Sequence, residues 1–558
     1  MTQAVSDKKT SLNQEWWRGA VIYQIYPRSY FDSNADGIGD IPGITRKLPF
    51  IANLGVDAIW LSPFFTSPMK DFGYDVSDYC DVDPMFGTLD DFKTMLKTAH
   101  DLGLKVVIDQ VYSHTSDQHA WFKESRANRT NAKRDWYVWA DAKADGTAPN
   151  NWLSIFGGSA WQWDSRRQQY FLHNFLTSQP DLNLHNPEVQ EAVLDAARFW
   201  LDLGVDGFRL DVVNFFFHDQ ALTDNPAVSK PEEKFVGVGD DNPFSRQFHK
   251  HQLTQPENLK FLARLRAVMD QYEDRFTVGE IGAPEGLKVM AEYTAGGDKL
   301  HSAYTFELLG DQYDPPYIRS VMQSIEKHLN DGWPCFALSN HDVARSVSRW
   351  NPEGVFGQDE FAKTSLSLLF SLRGSACLYQ GEELGFEQAE VPFDKLQDPY
   401  GIEFWPEYKG RDGCRTPIAW NEQGGFSEAE ESWLPVFDGH KARSAETQEG
   451  QADSVLSFVK AFLRWRKQHP ALLYGDIVWH SGTLSGNGTA ANNNVLSFER
   501  RWDNRSLFVA INLTNETQTL SLPGKLDQLA DDHGLAGEIN DNEVTLPPLG
   551  GVYAYITP

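Results

Sequence analysis

Three carboxylates, Asp211, Glu280 and Asp342, and two imidazoles, His114 and His341, each stand in or just beyond the end of a short apolar stretch. Asp211 belongs to residues 207–213, where Arg209 lies two positions before it. Side chains alternate along a strand, so Arg209 and Asp211 share one face while Phe208, Leu210 and Val212 share the other. Taken alone, that pair reads equally well as a structural ion pair or as a catalytic carboxylate beside its cation. Several carboxylates converging on one rim are costly for stability and hard to explain without chemistry. Two of them around a neutral substrate suit cleavage of a glycosidic bond. One attacks the anomeric carbon, the other protonates the leaving oxygen, and a third can hold sugar hydroxyls. Asp109 reads as a hydrogen-bond acceptor supporting Arg209 or His114.

These residues can meet only if the strands carrying them end at the same place. A repeated cadence provides for that: helices closing on Leu-Gly at residues 54–55, 102–103 and 203–204 each run straight into an apolar strand. Glycine just past a helix end is a C-terminal cap, and Thr88 with Asp91, and Asn186 before Pro187, are start signals. Helix, glycine and parallel strand in repetition predict a (β/α)8 barrel, an α/β fold whose strand ends share one rim. Residues 21–27 read as the first strand, and 276–281, 301–308, 333–340 and 375–380 as the last four. The barrel is expected over residues 13–112 and 184–473. An inserted domain is expected over 113–183 after the third strand, with further insertions at 214–258 and 381–420. Short alternating segments from 474 to 558 predict a C-terminal antiparallel β-sandwich.

The 558 residues include 78 acidic and 50 basic side chains, a net charge of −28, which argues against nucleic acid or an anionic membrane as partner. No run of about 18 apolar residues occurs, and residues 1–14 are polar, so a cytoplasmic protein is expected. Cys80, Cys335, Cys377 and Cys414 lack metal-type spacing and read as free thiols. Most of the 18 Trp, 19 Tyr and 35 Phe read as core, although such rings also stack on sugars. After the first strand, Asp32, Asn34, Asp36, the Ile38 carbonyl and Asp40 place oxygens at alternate positions around Gly37. That pattern suits a structural Ca²⁺ or Mg²⁺, although the twelfth position is Gly43 where an EF-hand has glutamate.

The segments 109–114, 207–211, 278–280, 338–342 and 179–183 together resemble the motifs of the α-amylase superfamily, glycoside hydrolase family 13, and within it the oligo-1,6-glucosidase and α-glucosidase branch. The resemblance implies Asp211 as nucleophile, Glu280 as general acid/base and Asp342 as the carboxylate that binds and distorts the reacting glucose. It implies that Arg209 keeps Asp211 ionised and that His114 and His341 hydrogen-bond the same sugar. Residues 71–74 resemble the branch's pocket motif, with Asp71 gripping a terminal glucose and Tyr74 beneath it. Arg411 would pair with Asp71, with Arg415 as the other candidate. Phe156 and Phe175 match positions that wall the pocket, and an aromatic at either position reads equally as core. His218 reads as loop structure, and residues 32–40 match the branch's metal loop.

The expectation is a retaining, exo-acting α-glucosidase with transglucosylation, acting on small α-glucosides and favouring α-1,4 over α-1,6 linkages. The alternatives are an oligo-1,6-glucosidase or a sucrose- or maltose-isomerising enzyme of the same fold. A non-catalytic binding subunit fits poorly with three retained acids.

Overall fold

The computed structural model describes residues 15–480, 483–484, 493–521, 525–529 and 534–557. The polar stretch 1–14 read from the sequence lies outside the described residues, as do parts of the C-terminal segment.

Eight parallel strands form the barrel: β1 (Val21–Ile25), β2 (Ala58–Leu61), β3 (Lys105–Gln110), β4 (Gly207–Leu210), β5 (Phe276–Ile281), β6 (Ser302–Thr305), β7 (Cys335–Ala337) and β8 (Ser375–Tyr379). Seven neighbouring pairs run β6-β5-β4-β3-β2-β1-β8-β7 in parallel register. A parallel bridge from Ala303 to Pro334 closes the ring.

The Leu-Gly cadence builds this wheel. Helices α1 (Ile41–Leu54) and α3 (Pro187–Leu203) end on Gly55 and Gly204, both left-handed with φ of 91° and 105°. Such a cap favours glycine and turns the chain directly into β2 and β4. Between them, α2 (Leu89–Asp101) opens on the reciprocal Thr88–Asp91 capping box, and the Asn186 side chain accepts from the Glu188 N–H at the start of α3.

Four strands are shorter than the sequence predicts, two of them, at 21–25 and 375–379, by only one or two residues and two by more. Beyond Thr305 the chain enters a 3-10 turn at Glu307–Leu309, so 301–308 is strand only over Ser302–Thr305. Beyond Ala337, the Asn340 side chain accepts from the N–H groups of Asp342 (2.8 Å) and Val343 (3.1 Å). That side-chain turn competes with the ladder and ends β7 early.

The segment after β3 contains a small antiparallel sheet of Trp139–Ala140, Gln169–Leu172 and Trp161–Asp164. It packs its own apolar cluster around Trp152 and Trp161. The segment after β4 is built of turns until α4 (Glu257–Met269) begins. The C-terminal segment forms two antiparallel sheets, with Val495–Trp502, Arg505–Asn512 and Gly551–Thr557 at the centre of the larger. Among the described residues, no helix is long and apolar enough to cross a membrane.

Candidate active site

Asp211 and Glu280 sit at the ends of barrel strands and Asp342 in the turn that follows one, while Asp71, Phe156, Phe175 and Arg411 come from the longer segments beyond strand ends. The Asp211 N–H still donates to the Gln110 carbonyl (3.0 Å), continuing β4 by one residue and leaving its side chain on the lumen face with Arg209. Arg209 is fully buried and organises three acids. Its Nη1 contacts Asp211 Oδ1 at 2.7 Å and Asp109 Oδ1 at 2.8 Å, and its Nη2 reaches Glu280 Oε2 at 2.6 Å. One guanidinium thus holds Asp211 and Glu280 side by side. Tyr304, on β6, accepts from Arg209 Nη2 (2.8 Å) and donates to Glu280 Oε1 (3.1 Å).

A second cationic centre faces the first. Arg411 Nη2 contacts Asp71 Oδ1 (2.9 Å) and Asp398 Oδ1 (2.7 Å), and its Nη1 contacts Asp342 Oδ1 (3.1 Å). Arg415 reaches the same Asp342 oxygen at 2.9 Å and donates to the His341 carbonyl at 2.6 Å. The choice between the two arginines therefore resolves by division: Arg411 joins Asp71 to Asp342, while Arg415 supports Asp342 from behind.

Asp71, Tyr74, His114, Phe156, Phe175, Asp211, Glu280, Asp342 and Arg411 all line one cavity of about 180 Å³. Phe215, Phe235, Phe306 and Tyr400 are among its other walls. Phe156 stacks on Tyr400 (centroids 5.1 Å, 24°) and Phe175 on Phe215 (5.5 Å, 28°), so both predicted wall residues line the cavity and each is braced by another aromatic ring of its wall. A more open cavity of about 730 Å³, beside Asp32 and Trp420, is lined by Arg46, Lys47, Glu428, Glu446 and Glu449 as well, but by none of Asp211, Glu280 and Asp342.

One expectation needs correction and another is resolved between its alternatives. His341 does not offer its ring to a sugar, because Nδ1 accepts from the Gln24 amide (2.8 Å) and Nε2 lies 2.5 Å from the Tyr74 hydroxyl. That hydroxyl donates onward to Asp109 (3.1 Å). The imidazole also stacks flat on the Tyr74 ring (5.3 Å, 3°), so it supports the floor from below. Asp109 accepts from Arg209, Tyr74 and the Trp60 indole, and supports Arg209 in preference to His114. His114 remains in the cavity wall, bonded at Nε2 to the Tyr74 carbonyl (3.0 Å).

Burial dominates the electrostatics. It pushes the Asp211 carboxyl well above the ordinary range. Arg209 opposes the shift, while Glu280, Asp109 and Asp342 reinforce it. Arg209 does pull the Asp211 carboxyl down, as expected, but that cation is shared among three acids and does not offset burial. Burial lifts Asp109 to about 6 against the pull of Arg209. Burial likewise raises Asp342, but His341, Arg411 and Arg415 outweigh it and hold that carboxyl well below the usual range. Desolvation lowers His114 to about 4 and His341 to about 3, so both rings are neutral near pH 7.

Sequence reasoning missed Tyr304, Gln24, Gln179 and Asp398. Gln179 donates to Asp71 (3.1 Å) from the segment after β3, and Asp398 pairs with Arg411 while capping a short helix through the Tyr400 N–H. The aspartate before Pro399 was a readable helix-start signal. Nothing local marked its second partner.

The acidic loop after β1 is tightly internally bonded. Asp32 accepts from the N–H groups of Asn34, Ala35 and Gly37 (3.0, 2.8 and 2.8 Å) and from the Ser427 hydroxyl (2.5 Å). Asn34 accepts from the Asp36 N–H, Asp36 from the Ile38 N–H, and Asp40 from Ser33 and Gly43. Burial raises the Asp32 carboxyl, but these hydrogen bonds outweigh it and leave it below its ordinary value. Among the described residues, no three His, Cys, Asp or Glu side chains group as metal ligands. The all-oxygen composition of the loop remains chemically suited to a hard cation.

Comparison with known proteins agrees with this geometry. Residues 24–475 match the model of the α-amylase catalytic domain. A probable α-glucosidase of Rhizobium meliloti (strain 1021) is 54% identical over 546 residues, 97% of each chain. An oligo-1,6-glucosidase of Parageobacillus thermoglucosidasius is 36% identical over 547 residues, 92% of this chain and 93% of that one. The crystal structure of an α-glucosyl transfer enzyme, XgtA, superposes with a TM-score of 0.92 at 53% identity, covering 97% of this chain and 100% of the other.

Proposed function

The chain belongs to the α-amylase family, glycoside hydrolase family 13, and is a glycoside hydrolase; on that premise we propose that it is a retaining, exo-acting α-glucosidase of short α-glucosides. The observation that carries the proposal is the Arg209 bridge, with Asp211 at 2.7 Å and Glu280 at 2.6 Å on the two ends of one guanidinium. Carboxyl groups held side by side suit nucleophile and acid/base about 5 to 5.5 Å apart, the arrangement of retaining enzymes.

In this reading Asp211 attacks the anomeric carbon while Glu280 protonates the departing oxygen. Glu280 then takes a proton from the water that releases α-glucose. If a sugar hydroxyl arrives in place of that water, the glucosyl group is transferred to it, and the aromatic residues lining the cavity favour that competition by limiting water. Asp71 and Asp342, joined through Arg411, would close the far end of the cavity on the hydroxyls of a single terminal glucose. Tyr74 and His114 would flank that ring, and Phe156 and Phe175 its outer edge. The interior of a long chain has no exit past Asp71.

The linkage preference is drawn from residues 214–219 and 410–417, which resemble α-1,4-acting relatives and which we weigh above the single Val212 typical of α-1,6-acting ones. One side chain at a pocket edge shifts discrimination by about 1 to 3 kcal/mol, and a whole loop can override that. Maltose is expected to be cleaved with a higher kcat/KM than isomaltose, and both far better than soluble starch. Initial rates on the three substrates, with the first-released anomer read by NMR, test the proposal. Faster isomaltose cleavage would reverse the linkage preference, internal starch fragments would end the exo-acting reading, and β-glucose would end the retaining one.

The proposal includes a structural Ca²⁺ or Mg²⁺ on Asp32, Asn34, Asp36, the Ile38 carbonyl and Asp40. It would stiffen the turn leading into α1 and take no part in the reaction. Saturating cation is expected to raise Tm by about 2 to 4 °C over chelated protein. Identical melting in Ca²⁺, Mg²⁺ and chelator, after metal removal verified by elemental analysis, would exclude it.

A further inference from the structure

Val212, immediately after Asp211, has φ 35° and ψ 52°. For a β-branched residue that left-handed conformation is an outlier, tolerated only where the surroundings impose it. Here they do. On one side the Asp211 N–H remains tied to the Gln110 carbonyl. On the other, the Asn258 amide holds the Val213 carbonyl (2.8 Å), the Asn214 amide holds the Gly282 carbonyl (2.8 Å), and the Phe215 N–H closes a turn on the Val212 carbonyl (2.8 Å). Gly279, beside Glu280, leaves room for the turn: a Cβ there would stand 3.0 Å from Val213 Cγ1. The strand therefore runs straight through Asp211 and reverses at a single residue. The peptide N–H of Val212 then points at the neighbouring strand end, where it donates to Glu280 Oε2 at 3.1 Å.

We infer that Val212 is a positioning residue acting through its main chain: its enforced left-handed conformation holds the N–H that fixes the Glu280 carboxyl for proton transfer. This inference rests on the reading of Asp211 as nucleophile and Glu280 as acid/base. Arg209 and Tyr304 also hold Glu280, but both are side chains shared with other groups. The Val212 amide is fixed to the same turn that carries the nucleophile, so it sets the acid/base relative to the attacking carboxylate. Strain at this point is consistent with a functional constraint, because a relaxed turn would carry the amide elsewhere.

The test uses two substrates that differ in their need for an acid. Maltose has a poor leaving group and needs a proton from Glu280, whereas α-glucosyl fluoride needs little help and has no leaving sugar to touch the Val212 side chain. Val212→Gly keeps the N–H but frees the backbone. It is expected to lose about 10-fold in kcat/KM on maltose and less than about 3-fold on the fluoride. Val212→Asn prefers the same left-handed region and is expected to restore the maltose-to-fluoride ratio to within about 3-fold of the parent. Equal losses on both substrates in V212G, no loss on either, or a maltose-specific loss in V212N matching that in V212G would each overturn the inference. Glu280→Gln, run in the same assay, checks the underlying reading, since it must lose at least about 100-fold on maltose relative to the fluoride. If E280Q fails that criterion the acid/base assignment falls, and if it meets it while V212G does not respond, only the role of Val212 falls.

Discussion

Asp211→Asn is expected to lower kcat on maltose by about 10⁴-fold or more while leaving the protein folded and, at neutral pH, at least as stable as the parent. The activity loss follows if Asp211 supplies the attacking oxygen, because an amide cannot form the glucosyl ester. The stability forecast comes from the charges. Burial, with Glu280, Asp109 and Asp342 nearby, raises the folded-state pKa of Asp211 well above its unfolded value. A carboxyl shifted that way favours folding when protonated, and it costs stability progressively as pH rises above about 3.9. The asparagine variant escapes that cost, so its advantage over the parent should grow from pH 4 towards neutrality. Thermal melts across that range, beside glucose-release rates, check both halves. Residual activity within about 100-fold of the parent would remove Asp211 from the nucleophile's role. A variant that loses ground as pH rises would contradict the electrostatics.

The barrel was legible because its evidence is local. Gly55 and Gly204 cap helices and lead directly into the next strand, so three copies of one short pattern imply the parallel wheel. The acids were legible for a related reason: Asp211, Glu280 and Asp342 fall in or just after strands, and a barrel converts that one-dimensional fact into a common rim. What failed was whatever depends on a partner distant in sequence. His341 was assigned to the substrate on the strength of the family resemblance, and nothing in the sequence showed where its ring would go. Its ring is instead taken up by Gln24, 317 residues earlier, and by Tyr74. Tyr304 looked like an ordinary strand aromatic until the fold placed its hydroxyl between Arg209 and Glu280. Strand lengths were overestimated where a side chain competes with the ladder, as Asn340 does beyond β7. Apolar periodicity carries no record of that competition.

Arg411→Met is expected to destabilise the protein by about 3 to 5 kcal/mol, the cost of leaving buried carboxylates without their cation. Three are involved. Asp398 is wholly buried and bonded to Arg411 at 2.7 Å, Asp71 lies at 2.9 Å, and Asp342 at 3.1 Å keeps only Arg415. Removing the charge of Asp398 as well should repair much of the damage, because Asp398 does not line the cavity. Arg411→Met with Asp398→Asn is therefore expected to recover about 2 kcal/mol over Arg411→Met alone, without recovering activity, since Asp71 and Asp342 would still lack the group that joins them. The pH dependence has a definite sign. For Asp398 and Asp342, burial pushes the carboxyl up, but Arg411 with its neighbours prevails and holds the folded-state pKa below the unfolded value. Stability from such groups is present above an unfolded pKa of about 3.9 and is lost as pH falls through the lower folded value. In Arg411→Met burial is no longer outweighed and raises these carboxyls, so the variant regains stability by protonating them as pH falls, and its deficit should be largest near pH 7 and shrink towards pH 4. Denaturant unfolding at both pH values decides it: a deficit that widens on acidification, or a double variant no more stable than the single one, would show that Arg411 is not the cation on which this side of the cavity depends.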